Sequence, residues 1–540
     1  MSTLRRAPEP GRIIWNPTAP ELRRLAAVDE QTTIFGSASY TSRVRNRSAK
    51  NTFVVTDGAI PIGVQQQALS PARAEEVAAQ VQGYLRDKTV IALDRVLGQA
   101  ERFRLRCRLY ITAGYARIPY MWRQTLFAPD GQHEPDLMTI FVPEWPERLI
   151  FVAPEDRVTY VLGTDYFGEC KKSFLRMAMY EAKKQRALGF HAGSKVLKVR
   201  ASGAAGGHGA AEGLREVGFL LFGLSGTGKT TLTIHDHGLT GDGEGIEIRQ
   251  DDVVIMDETG FCAGTENGFF IKTEGLEPSQ RVLYQAATLP TAIFENIAVR
   301  EDGSINFDDV ELTANGRGVL ARGDVAHTGT EVDLTHADKI IFITRRNDVV
   351  PAVAKLDARQ AAAFFMVGES METSAGDPTR AGQAKREVGT NPFIIGPEEE
   401  EGNRFLEILR ANPDIECFLL NTGSVGASAG SAGKKITVHV SATIMKEIAR
   451  GAIRWRRDED WGYLVPAEIP GLDADEYDPR CYYAEAEYRA LIEKLRAERR
   501  AWLAQFAGLA QEIRAVVEPR EEGEDTEGPP NTEAPIKKVS

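Results

Sequence analysis

Gly223-Leu-Ser-Gly-Thr-Gly-Lys-Thr-Thr-Leu232 decides how this chain reads. It fits the pattern G-x-x-x-x-G-K-[ST], with Gly223, Gly228, Lys229 and Thr230 at the fixed positions. Glycines there let the backbone turn tightly enough to aim N–H groups at phosphate oxygens. The lysine reaches the β- and γ-phosphates, and the threonine hydroxyl is placed to ligate Mg²⁺. The apolar run Val217-Gly-Phe-Leu-Leu-Phe222 reads as a buried strand leading into the loop. The helix expected after the loop presents its positive N-terminus to the phosphates. The stretch therefore predicts binding of a nucleoside triphosphate.

Working outward, 540 residues are too many for one compact core, so two or more domains are expected. The net charge of −12 argues against nucleic acid as the main partner. Five scattered cysteines without C-x-x-C spacing suggest a reduced compartment, and neither a zinc site nor a disulfide framework. No apolar run reaches membrane-spanning length, and the first residues lack the apolar core of a signal peptide. The expectation is a soluble, cytoplasmic enzyme with no membrane partner, monomeric or a small homo-oligomer.

The chain reads as α/β in two domains, 1–188 and 189–517, followed by a charged, Pro/Gly-rich segment at 518–540 that reads as a disordered acidic tail. Strands are expected at 52–55, 104–111, 149–152, 160–162, 246–249, 253–256, 339–344, 417–420 and 436–440, and a helix at 173–188. The Gly-rich segment 201–213 reads as a flexible loop. Gly368 to Gly389 is polar and short of apolar anchors, which suits a lid or a surface loop. Leu491, Leu495, Leu503 and Phe506 are spaced for one buried helix face.

Asp251-Asp252 ends a strand candidate 22 residues after Lys229, where a carboxylate can hold the metal of a bound nucleotide. Lys171-Lys172 read alone as a solvated basic face, and His191 alone as a structural histidine. Arg43, Arg45, Arg47 and Lys50 cluster before the strand candidate Thr52–Val55, and arginine forks suit carboxylates and phosphates.

Taken together these segments resemble the ATP-dependent phosphoenolpyruvate carboxykinase family. Gly223–Leu232 matches that family's phosphate loop residue for residue, and Tyr166-Phe-Gly-Glu-Cys-Lys-Lys172 is similar to its Tyr-Gly-Gly-Glu-Met-Lys-Lys. Arg47-Ser-Ala-Lys50, Ile13–Pro17, Glu295-Asn296, Val299–Gly303, Asn421-Thr-Gly423, Ile469–Asp473 and Asp478–Arg480 have counterparts in matching order. The resemblance implies an N-terminal domain, a C-terminal P-loop mononucleotide-binding domain and an active site in the cleft between them. It also implies conversion of oxaloacetate and ATP to phosphoenolpyruvate, CO₂ and ADP, with Mg²⁺ and Mn²⁺.

By that resemblance Lys172, His191 and Asp252 ligate Mn²⁺, Thr230 ligates Mg²⁺ beside Asp251, and Lys229 binds the β/γ-phosphates. Arg47 and Arg317 grip the substrate carboxylate and the transferring phosphoryl group, and Tyr166 contacts substrate or CO₂. Lys171 holds phosphoryl and enolate oxygens, and Ser225 hydrogen-bonds the substrate. The nucleotide site takes in Gly223, Leu224, Ser225, Gly226, Thr227, Gly228, Lys229, Thr230 and Thr231, with Lys272 and Glu277 beside the nucleotide and Lys435, Ile436 and Ser441 near the adenine.

The chain also departs from the pattern. Arg45-Asn46 stands for Thr-Gly, Ala49 for Pro and Gln250 for Gly. Val253-Val-Ile-Met256 replaces a polar stretch, and Lys435 replaces an arginine whose planar stacking lysine does not reproduce. The segment before Asp251 is longer and carries His235 and His237, expected in solvent. Two other readings remain: a kinase on the same fold acting on another carboxylate or a protein, and a nucleotide-binding protein without catalysis.

Overall fold

The computed structural model describes residues 3–58, 60–131, 133–200, 213–224, 226–371, 383–428 and 430–518. Ser225, the loop at 201–212, residues 372–382 of the lid-like segment and the tail from 519 lie outside the described residues. The described chain is mixed α/β, built on three large sheets.

The first sheet comprises β1 (Arg12–Trp15), β2 (Thr52–Val55), β3 (Ala68–Leu69), β4 (Thr89–Leu97), β5 (Leu105–Thr112), β6 (Leu137–Val142), β7 (Leu149–Ala153) and β8 (Val158–Leu162). Their order is β1-β4-β5-β6-β8-β7-β2-β3. Every residue of β6, β7 and β8 is buried, as continuous apolar runs require when both faces of a sheet are covered. The helix Pro71–Leu85 covers one face through Val77, Val81 and Leu85. The other face packs on α1 (Arg117–Thr125) and α2 (Phe167–Lys184), where Trp122 stacks on Phe174 with centroids 4.6 Å apart. Helix α2 begins six residues before the expected helix and ends at Lys184. Arg186 then adopts φ 61°, and Leu188–Phe190 forms a short strand instead of a last helical turn.

The second sheet comprises β9 (Ala192–Arg200), β10 (Leu214–Gly223), β11 (Gly245–Gln250), β12 (Lys339–Thr344), β13 (Val353–Leu356), β14 (Glu416–Asn421), β15 (Arg454–Arg457) and β16 (Leu464–Glu468), in the order β11-β9-β10-β12-β14-β13-β16-β15. The central strands β10, β12 and β14 are parallel. Their carboxyl ends therefore open on one side, which is where open α/β sheets bind ligands. Helix α3 (Lys229–Ile234) follows the Gly-rich loop directly. Helix α4 (Ala358–Val367) packs on one face of the sheet and α5 (Val438–Arg450) on the other.

The strand expected at 436–440 is not formed. The β-branched run suggested one, but the Thr437 side chain caps α5 by accepting from Val440 N, and Val440, Ile444 and Ile448 then recur on one apolar face. Near the end of the described chain, α6 (Glu485–Leu503) buries Tyr488, Ile492, Leu495, Arg499 and Leu503, a face centred one residue beyond Leu491. Among the described residues no helix is long and apolar enough to cross a membrane.

The third sheet has the order 269–272, 317–320, 293–295, 38–40, 31–32. Ala38–Tyr40 pairs in parallel with Ile293–Glu295, so the chain's beginning is built into the wall of its later half. Buried Arg117 on α1 binds Glu295 Oε1 at 2.8 Å and Asp165 Oδ2 at 3.0 Å, linking this sheet to the start of α2.

Glu369, fully buried just after α4, meets Arg499 of α6 and Arg386 at 3.6 Å. Burial opposes its ionisation, but Arg499 and Arg346 outweigh burial and lower its pKa to about 2, from 4.5. A depressed folded-state pKa means that the unfolded chain binds more protons between those values. The stabilisation is present above the unfolded value and is lost as pH falls through the folded one. Glu369→Gln is expected to lower stability at pH 7 by roughly 3 kcal/mol. Denaturant unfolding followed from pH 7 to pH 2 should show the gap between parent and variant closing in acid; a constant gap would refute the assignment.

Candidate functional site

The backbone of the Gly-rich loop Gly223–Gly228 is shaped by its glycines. Gly226 and Gly228 lie at φ 83° and 92°, where L side chains are strained, and a Cβ on Gly223 would sit 2.4 Å from Thr227 Oγ1. Neighbouring strand ends brace the turn. Thr422, after β14, donates its hydroxyl to Thr227 O at 2.7 Å. Arg345, after β12, donates to Gly226 O at 2.9 Å. Gly228 caps α3, so Lys229 and Thr230 open that helix at the mouth of a cavity of about 650 Å³.

Opposite the loop, α2 brings Lys172 to Asp252. Lys172 Nζ lies 2.7 Å from Oδ1 and 2.5 Å from Oδ2. His191, between two strands, points Nε2 at Asp252 Oδ1 at 3.1 Å, while its Nδ1 donates to Thr390 O at 2.8 Å. That backbone acceptor holds the proton on Nδ1 and leaves Nε2 as a lone-pair donor. Burial lowers the Lys172 pKa to about 7, with Asp252 opposing and Lys171 adding to the fall. Burial and the Lys229 charge lower the His191 pKa to about 4. Asp252 is half-buried, and although desolvation opposes its ionisation, Lys171 and Lys172 hold its carboxyl well below the usual carboxylate range.

The set therefore offers a carboxylate, a neutral imidazole nitrogen and an amine that deprotonates near neutrality, around one point. An amine ligates a metal only through its unprotonated lone pair, so these three residues fit a divalent cation. Among the described residues no group of three or more His, Cys, Asp or Glu side chains is arranged for one; here the third donor is a lysine. Asp251, beside them, is raised by burial, and its Oδ1 has no hydrogen-bond partner.

The cavity wall carries seven cationic side chains (Arg47, Lys172, Lys229, Lys272, Arg317, Arg345 and Lys435) against the carboxylates of Asp251, Asp252 and Glu274. That excess suits a polyanionic ligand. Arg317 is oriented by Asn315 at 2.6 Å and lies over Phe270, while its buried Nε has no partner. Asn315 also donates to Arg45 O at 2.8 Å and Tyr166 Oη at 3.3 Å. Tyr166, His191, Gly223, Leu224, Gly226, Thr227, Gly228, Thr230, Thr231, Ile436 and Ser441 complete the predicted residues that line the space.

Two predicted residues stand elsewhere. Lys171 is buried behind Asp252, bonded to it and to Glu266 Oε2 at 2.8 Å, and does not line the cavity. Glu277 is exposed and accepts from Ser279, while Glu274 pairs with Lys272 at the wall. Ser225 lies outside the described residues. The expectation that His237 faces solvent is overturned: it is 3% exposed, because its ring inserts between Lys195 and the backbone of α5. The adjacent lysines, read alone as a solvated face, are both buried for the same electrostatic reason: Asp252 and Glu266 receive them.

Sequence reasoning missed Phe393, whose ring lies 4.6 Å from the Arg47 guanidinium carbon and 4.7 Å from Lys172 Nζ. It also missed Glu266, Phe270 and Arg345. None sits in a spaced motif. Thr422 lies within the matching segment Asn421-Thr-Gly423, so a signal existed for it without a role.

The sequence model of the family described as Phosphoenolpyruvate carboxykinase matches residues 11–475. A protein of Aeropyrum pernix named phosphoenolpyruvate carboxykinase (ATP) is 32% identical over 495 residues, 91% of this chain and 94% of that protein. Proteins of the same name from Mesorhizobium japonicum and Thermus thermophilus are each 26% identical. The first match covers 82% of both chains, the second 88% of this chain and 91% of its counterpart.

Thr422→Val removes the donor to Thr227 O and leaves that carbonyl short of a partner. Titration calorimetry with a nucleoside triphosphate should show affinity lowered about fivefold, the worth of one hydrogen bond near 1 kcal/mol. Unchanged affinity would mean that the bond does not brace the loop.

Proposed function

We propose, from the premise that this chain belongs to the phosphoenolpyruvate carboxykinase (ATP) family, that it is an enzyme converting oxaloacetate and ATP to phosphoenolpyruvate, CO₂ and ADP. The observation that carries the reading is the convergence of Lys172 and His191 on Asp252, across one cavity from Lys229 and Thr230. A phosphate loop alone accounts for nucleotide binding. The amine–imidazole–carboxylate set opposite it would hold a divalent cation, which would supply the charge stabilisation that an enolate needs.

The C–C bond to the leaving carboxylate breaks, CO₂ departs, and its electron pair becomes the enolate. The enolate oxygen then attacks the γ-phosphorus, and ADP leaves with the pair of the broken P–O bond. Negative charge sits throughout on oxygens, so the protein's task is positioning and neutralisation rather than covalent help. Lys229 binds the β/γ-phosphates. Arg317, held by Asn315, faces the transferring phosphoryl group. Arg47 pairs with a substrate carboxylate, and Tyr166 borders the substrate space. Lys171, buried against Asp252, acts through that carboxylate by keeping it ionised.

Lys172, His191 and Asp252 would hold Mn²⁺, and Thr230 with Asp251 would hold the Mg²⁺ of ATP. When bound, such cations supply Lewis-acid stabilisation of enolate and phosphate oxygens. Lys272, Ile436, Lys435 and Ser441 form the nucleoside side of the site. Glu277 remains assigned to the nucleotide only by resemblance. We retain the division into a substrate-side domain, 1–188, and a P-loop nucleotide domain, 189–517, with the third sheet spanning the boundary.

The test is phosphoenolpyruvate formation from oxaloacetate with ATP, Mg²⁺ and Mn²⁺. The parent should form product. Lys229→Ala and His191→Ala should each lose at least about 100-fold, as for removal of a transition-state electrostatic contact. Lys172→Arg should lose Mn²⁺ binding, because a guanidinium offers no lone pair. ATP binding by the parent without product would transfer the assignment to a kinase acting on a different substrate.

A further inference from the structure

Lys195, on β9, is completely buried and pairs with no carboxylate among the described residues. Its Nζ instead meets three neutral acceptors: Leu232 O at 2.6 Å, His235 O at 3.0 Å and His237 Nε2. The His237 ring is turned so that Nδ1 faces Ala442 O at 3.1 Å. A carbonyl only accepts, so Nδ1 carries the hydrogen and Nε2 is free to accept from the lysine. The Lys195 amine therefore faces three acceptors, which a buried lysine lacking a counter-ion needs. Burial pushes the Lys195 pKa well down, with only Asp236 opposing.

Two of the elements joined here, α3 and α5, line the cavity, and β9 packs behind them. Leu232 and His235 end the short helix α3, whose first residues Lys229 and Thr230 line it. The Lys195 amine at that end donates to its last carbonyls. Ala442 lies on α5, directly after Ser441, which lines the nucleoside side. On β9, Gly193 lets α3 approach so closely that a Cβ there would meet Thr233 Oγ1 at 2.3 Å. His237 itself adopts φ 58°, a strained conformation for a non-glycine residue, and the ring's two hydrogen bonds hold it there.

We infer that Lys195 and His237 are a positioning pair that fixes the phosphate-side helix α3 against the nucleoside-side helix α5, and so sets affinity for the nucleotide as a whole. The inference rests on the reading of the cavity as an ATP site. Neither residue lines the cavity, so neither touches the nucleotide directly. Lys195→Met keeps the length of the side chain and removes all three donors. His237→Leu removes both ring contacts, whereas His237→Gln retains one acceptor and one donor at opposite sides of its amide.

The experiment uses the full chain and measures ATP affinity by calorimetry in Mg²⁺, together with KM for ATP and for oxaloacetate. Lys195→Met and His237→Leu should weaken ATP binding about tenfold, with KM for oxaloacetate within about twofold of the parent. His237→Gln should restore most of that loss. Equal ATP affinity in parent and variants, a parallel rise in both KM values, or failure of glutamine to rescue would each overturn the inference. Where Lys195→Met does not fold, the Gln/Leu comparison at 237 decides. A parent that binds no ATP would instead sink the nucleotide reading, and this inference with it.

Discussion

The Asp252 carboxylate is the point on which the site depends. It receives Lys171, Lys172 and His191, and these come from helix α2 and the link into β9, while Asp252 itself follows β11. Taking four ionisable groups out of water is costly, and their mutual attraction repays the cost only while the geometry holds. The tension is useful. Lys171 keeps a full charge through a second carboxylate, Glu266, whereas Lys172 has only a share of Asp252 and is poised to lose its proton. Two adjacent lysines on one helix are thereby given different chemistry, because consecutive helical positions differ by about 100° and face different partners.

Placing that helix requires support from elsewhere. Asp165, just before α2, accepts the backbone N–H groups of Arg43 and Val44 at 2.9 Å each. Glu169, in the first turn of α2, accepts from Ser48 N at 2.5 Å. The segment carrying Arg47 is thus fastened at both ends to the start of the helix carrying Lys172. Glu295 completes the frame by accepting from Phe167 N at 3.0 Å and from Arg117. Burial raises its pKa to about 7 even with the arginine beside it, the mark of a carboxylate retained for geometry despite its desolvation.

What was legible in the sequence follows from what is local. Strands such as Lys339–Thr344 and Thr52–Val55 were readable because apolar runs and alternation are local patterns. The strand, Gly-rich turn and helix around Gly223–Thr230 were readable because glycine spacing and an apolar run are local patterns. Helix α5 was misread because a β-branched run and a threonine cap compete, and tertiary packing arbitrates between them. Phe393, Glu266 and Arg345 were invisible for a different reason: each acts through contacts far along the chain, and single residues of those types carry no spacing. His237 was misplaced because a Gly/Asp-rich setting describes the loop and says nothing of the buried lysine waiting beneath it.

The third sheet has a consequence for how the protein comes into being. Ala38–Tyr40 pairs with Ile293–Glu295, and Ser42 bonds Asn296 across 254 residues. At ribosomal rates of about 5–20 residues per second, the early segment waits roughly 10 to 50 seconds for its partner. During that interval Ala38–Tyr40 has only its local partner Gln31–Thr32, and its other edge is open to pairing with other nascent chains. Assembly of the site belongs to the end of synthesis, after the first sheet has had time to close.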